Sequence, residues 1–125
     1  MKYITLIIGL LVVGCLTPEQ KALRGSVVGE YESPIGGWTR GNVTYPPAKQ
    51  VYLENGTVEQ SMDGKKHTAF KWAIVDGEIH IDPNSRLIAI WRINTDRSIT
   101  HIAYIVDGKR TEFSKEEQIT YKKIK

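Results

Sequence analysis

The stretch KQVYLENGTVEQSMDGKKHTAFKWAIVDGEIHID, residues 49–82, decides the fold. Three Asn-Gly or Asp-Gly pairs punctuate it, Asn55-Gly56, Asp63-Gly64 and Asp76-Gly77, and the segments around them alternate. Neighbouring side chains on a strand point to opposite faces, so Val51 and Leu53 share one face, as do Val58, Gln60 and Met62. Phe70, Trp72 and Ile74 do the same, and Ile79 and Ile81 continue the pattern. A type I′ turn requires positive φ at both central positions, which Asn, Asp and Gly tolerate, so each pair predicts a hairpin.

The pattern extends in both directions. VVGEYES (27–33) reads as a strand upstream. Downstream, RLIAIWRIN and SITHIAYIVD are strands apolar on both sides, joined through Asn94-Thr95-Asp96-Arg97, and Asp107-Gly108 turns into KRTEF. Ser114-Lys115-Glu116-Glu117 has the form of a capping box over one helical turn, and ITYKKI closes the chain as a last strand. In front, Thr17-Pro18-Glu19-Gln20 is another capping box with Pro18 at the first helical position, predicting a short helix from Pro18 to about Arg24 that Gly25 ends. The predicted fold is all-β: an antiparallel meander of about eight strands closing into a small barrel, preceded by one short helix. Closure removes the sheet edges, and a barrel of this size encloses packed side chains or one small ligand cavity.

Length and composition agree with a single globular domain: 125 residues, 41% hydrophobic and 25% charged. The net charge of +3 is local, because residues 109–125 carry six Lys/Arg against three acids and the remainder balances. Such a tail reads as a lysine-rich edge strand or as a contact to an anionic surface. With no clustered basic and aromatic stripe, nucleic-acid binding is not expected.

Lys2 followed by the apolar run Ile4 to Val13 is too short to span a bilayer, which takes about 20 apolar residues, and fits a signal peptide. Its end, Val12-Val13-Gly14-Cys15, resembles the lipobox of bacterial lipoproteins. That resemblance implies removal of a signal over 1–14, acyl chains (palmitate among them) on Cys15, and a spacer and helix over 15–24 leading to a barrel domain over 25–125. It places the protein in the bacterial cell envelope, lipid-anchored, and Leu16 after the cysteine implies the outer membrane where the host has two. Gly29-Glu30-Tyr31, with the leading helix, the long first loop and the meander, resembles lipocalin-like proteins, whose first strand carries Gly-x-Trp; Tyr31 stands here for the Trp.

Chemistry-bearing motifs are few. The sequence has no Gly-x-Ser-x-Gly elbow, no His-Glu-x-x-His, no phosphate loop and no second cysteine, so no enzymatic activity and no cofactor are expected. Glu78, His80 and Asp82 alternate on a strand and form a weak metal candidate, whose ordinary reading is a polar outer face. His101 shares a predicted face with Ile99, Ala103 and Ile105, either as a core histidine or as a cavity-lining group. Tyr31, Trp72, Trp91 and His101 are candidate pocket-lining residues. SPIGGWTRGNVTYPPA (33–48) is the one stretch without alternation, and Trp38, Arg40 and Tyr45 make it a candidate recognition loop. Two functions are compatible with this pattern: an envelope-anchored binding or interaction module with a protein partner, or a carrier or sensor of a small hydrophobic ligand inside the barrel.

Overall fold

A computed structural model of the chain describes residues 17–34, 37–40 and 42–125, without the side chains of Arg40, Lys66 and His67. The predicted signal over 1–14 and Cys15 lie outside the described residues. Helix α1 spans Pro18–Val27, and the strands follow as β1 (Gly29–Glu32), β2 (Trp38–Arg40), β3 (Val43–Tyr45), β4 (Ala48–Tyr52), β5 (Thr57–Met62) and β6 (Lys65–Val75). After them come β7 (Glu78–Ile81), β8 (Leu87–Ile93), β9 (Ile99–Val106), β10 (Lys109–Glu112) and β11 (Ile119–Lys123).

Antiparallel pairing runs β1-β4-β5-β6-β7-β8-β9 and returns to β1 through β11, closing an eight-strand barrel of the form seen in lipocalin-like folds. β9 carries β10 on residues 103–106 and β11 on residues 99–101 of the same edge. The two strands therefore share one position in the barrel wall, separated by a 3₁₀ turn at Lys115–Glu117. Ser114 opens that turn, and its backbone N–H donates to Glu117 Oε1 at 3.1 Å.

The hairpins follow the turn chemistry, with one variation. Asp63, Asp76 and Asp107 have φ near +50° and each is followed by a glycine with positive φ, as type I′ turns require. At Asn55-Gly56 only the glycine is positive (φ 89°). Asn55 instead accepts from Thr57 N–H through its side chain, and Gly56 N–H donates to Leu53 C=O, so this hairpin has a longer loop ending in a left-handed glycine.

α1 starts at its predicted capping box, with Thr17 Oγ1 accepting from Gln20 N–H and Gln20 Oε1 accepting from Thr17 N–H. It does not stop at Gly25 but continues to Val27, because the last turn packs against the barrel end: Val27 is fully buried and Val28 N–H donates to Arg24 C=O. Residues 25–27, expected at the start of the barrel domain and its first strand, therefore belong to the helix.

α1 lies at the end of the barrel that holds the densest packing. Tyr31, Tyr52 and Trp72 meet there edge to face with centroids 5.4 Å apart, beside fully buried Val58, Ile79 and Ile99. The Arg24 guanidinium lies 4.4 Å over the Trp72 ring and donates to Glu54 C=O, fastening the helix to the β4–β5 turn. Lys123 Nζ donates to Ser26 C=O from the other side. The Tyr31 hydroxyl donates to Val27 C=O at 2.6 Å, tying β1 to the last turn of α1.

Candidate functional site

Away from α1 the barrel is not filled. A cavity of about 420 Å³ opens at the opposite end, within the usual size range of small-molecule sites. Its wall is mostly aromatic and aliphatic: Phe70, Trp91, Tyr104 and Tyr121 project from four strands, and Met62 and Ala89 fill between them. Over the mouth sits a separate two-stranded sheet, β2 with β3, in the segment expected to be a loop. Trp38 stacks on Tyr45 within it at 5.1 Å and meets Tyr121 of the barrel at 5.7 Å, so both hairpin aromatics line the cavity.

Strand register decides which side chains reach this space. In β4 the buried residues are Gln50 and Tyr52, and Val51 between them is half-buried on the other face. Tyr52 OH donates to Gln50 Oε1 at 2.7 Å, and Gln50 Nε2 donates to Gln60 Oε1 at 2.9 Å. This chain of polar groups runs along the inner wall on the neighbouring strands β4 and β5, and Gln60 lines the cavity where it ends.

In β9 the register shifts: Ile90 pairs with Ala103 but Trp91 pairs with His101, leaving Ile102 as an extra residue. Alternation therefore breaks at Ile102. His101 faces the interior with Ile99 and Tyr104, whereas Ala103 and Ile105, expected on its face, join Ile90 in a separate outer cluster. The bulge lays the His101 ring parallel on Trp91, 4.7 Å between centroids and 8° between planes, with Tyr104 and Phe113 edge-on to it. The indole N–H groups of Trp38 and Trp91 are buried without a hydrogen-bond acceptor among the described residues. Unsatisfied buried donors are rare in native interiors, and here both belong to the cavity wall.

Of the four expected pocket residues, Trp91 and His101 line the cavity and Tyr31 and Trp72 do not. The latter two sit in the packed end, each tied by its polar atom to a backbone carbonyl, Tyr31 to Val27 and Trp72 Nε1 to Leu53. Of the expected recognition residues, Trp38 and Tyr45 line the cavity, and the Arg40 side chain lies outside the described residues. The residues 78, 80 and 82 do not form one face, because Asp82 takes φ 61° just past β7 and turns to the cavity mouth. Glu78 stays outside, where Arg110 binds it bidentately at 2.8 and 3.1 Å and holds its carboxyl below the ordinary range. Burial holds His80 below its usual value as well. No group of three metal-ligating side chains occurs among the described residues. Sequence reasoning did not place Gln60 or Tyr121 at a site, and it read Asp82 with Glu78 and His80 and not as a cavity residue. Asp82 carried a signal, since Asp tolerates the left-handed region and ends the alternation there.

Compared with protein-family models, with curated proteins and with solved structures, the chain finds no match.

Proposed function

We propose that this protein is a non-catalytic binding protein of the bacterial cell envelope, lipidated at Cys15, that takes up a small hydrophobic ligand in its barrel. One observation carries the reading: a cavity of about 420 Å³, mainly aromatic and aliphatic, open at one barrel end and covered by the β2–β3 hairpin. It favours the carrier or sensor over a purely structural partner role, since a structural barrel of this size fills its interior with side chains. Because α1 packs at the closed end, tethering through Cys15 holds the barrel by that end and leaves the mouth turned outward for exchange.

The test uses the full chain in nanodiscs, with empty discs as the blank, titrated with 1-naphthalenemethanol and followed by quenching of tryptophan fluorescence. Saturable one-to-one binding is expected, and Ala89→Phe, which fills the cavity from its wall, should abolish it while the far-UV spectrum stays unchanged. Equal uptake by discs with and without protein refutes the cavity as a ligand site. For the anchor, radiolabelled palmitate should enter the wild type and not Cys15→Ala.

A further inference from the structure

We propose that the cavity selects ligands with a cationic or hydrogen-bond-donating head on an apolar, preferably aromatic, body, and that Asp82 receives that head; this rests on the reading of the cavity as a ligand site. Among the described residues that line the cavity there is no lysine or arginine, and Asp82 is its one carboxylate. Its backbone is fully engaged: Asp82 N–H donates to Lys71 C=O, and its carbonyl accepts from Ser85 N–H and Ser85 Oγ. The carboxylate itself makes no hydrogen bond or ion pair among the described residues. The Arg86 guanidinium, four residues on, is held by Asp107 at 2.7 and 3.2 Å and does not neutralise it.

Position and surroundings set the ligand class. Asp82 is half-buried at the rim, where a head group stays partly hydrated while the body enters the aromatic wall. Tyr45, Tyr104 and Tyr121, with Trp38 and Trp91, line the cavity, and aromatic rings attract a cation and do not attract an anion. A carboxylate or sulfonate head placed at the same rim meets Asp82 as a like charge, which costs affinity in a partly desolvated site. A donor head gains a charge-assisted hydrogen bond, stronger than a neutral one.

The experiment compares three probes of one shape, 1-naphthylmethylamine, 1-naphthalenemethanol and 1-naphthoate, on the full chain in nanodiscs at neutral pH, against empty discs. The expected order is amine, then alcohol, then carboxylate, with about tenfold or more between the first and the last. Asp82→Asn keeps a side chain that also tolerates positive φ, so the fold is retained, and it should weaken the amine most, the alcohol less, and erase the advantage of the amine over the alcohol. Equal affinities, or tightest binding of the carboxylate, overturn the assignment of ligand charge and leave the cavity as a binding site. No saturable binding by any of the three overturns both. The ranking in the wild type decides the matter even where the variant is poorly folded.

Discussion

Two glycines four residues apart should respond to alanine with opposite sign. Gly29 enters β1 at φ 147°, and a Cβ built there would stand 2.2 Å from Lys125 C=O and 2.8 Å from Lys123 Cε. The lysine tip can move, but the carbonyl cannot move cheaply, because it accepts from Glu30 N–H while Ile124 N–H donates to Glu30 C=O. Gly29→Ala therefore imposes backbone strain of roughly 1–3 kcal/mol and weakens one or two hydrogen bonds of about 1 kcal/mol each. A total of about 3 kcal/mol lowers Tm by roughly 12 °C in a domain of this size. Gly25 lies inside α1 with nothing within 4 Å of its would-be Cβ. Gly25→Ala should therefore stabilise by about 0.5–1 kcal/mol, raising Tm by a few degrees. Thermal unfolding followed by tryptophan fluorescence reads both variants. A Gly29→Ala protein melting within about 2 °C of wild type, on the scale of these estimates, would refute the close approach of the C-terminal strand to β1.

Two further predictions concern polar groups. Tyr52→Phe removes the donor to Gln50 Oε1 and leaves a buried carbonyl oxygen unpartnered, so urea unfolding should show a loss of about 1–3 kcal/mol with an unchanged slope. The Arg110 hydrogen bonds lower the Glu78 carboxyl from its ordinary 4.5, so their contribution is present above that pH and is lost as pH falls through the folded value. Glu78→Gln should therefore be less stable than wild type at pH 7, with the gap closing below about pH 4.5; a gap independent of pH would show that the ion pair contributes nothing.

The parts of this fold written in local chemistry were legible. Asp63-Gly64, Asp76-Gly77 and Asp107-Gly108 predict hairpins because the φ signs a tight turn needs are tolerated by few residues, and those residues stand there. The capping box at Thr17 is legible for the same reason, since both reciprocal bonds lie within four residues. Errors arise where a distant contact overrides a local preference. Gly25 is a reasonable helix end until Val27 and Arg24 find partners on the barrel, and 33–48 lacks alternation yet pairs β2 with β3 and docks on Tyr121. The face of β4 was ambiguous from sequence because Val51 is the apolar choice, yet Gln50 is the buried one, made tolerable by Tyr52 and Gln60.

By itself, then, the sequence determined an antiparallel barrel entered through a short capped helix, because strand alternation, turn residues and helix caps act over a few residues each. Tertiary structure alone decided where the barrel is filled and where it is open. That outcome depends on the bulge at Ile102, which turns His101 inward to stack on Trp91, and on the left-handed Asp82, which brings a carboxylate to the mouth. Each is a one-residue change of phase in a pattern of period two, and its consequence appears only when strands far apart in the chain close around the same space.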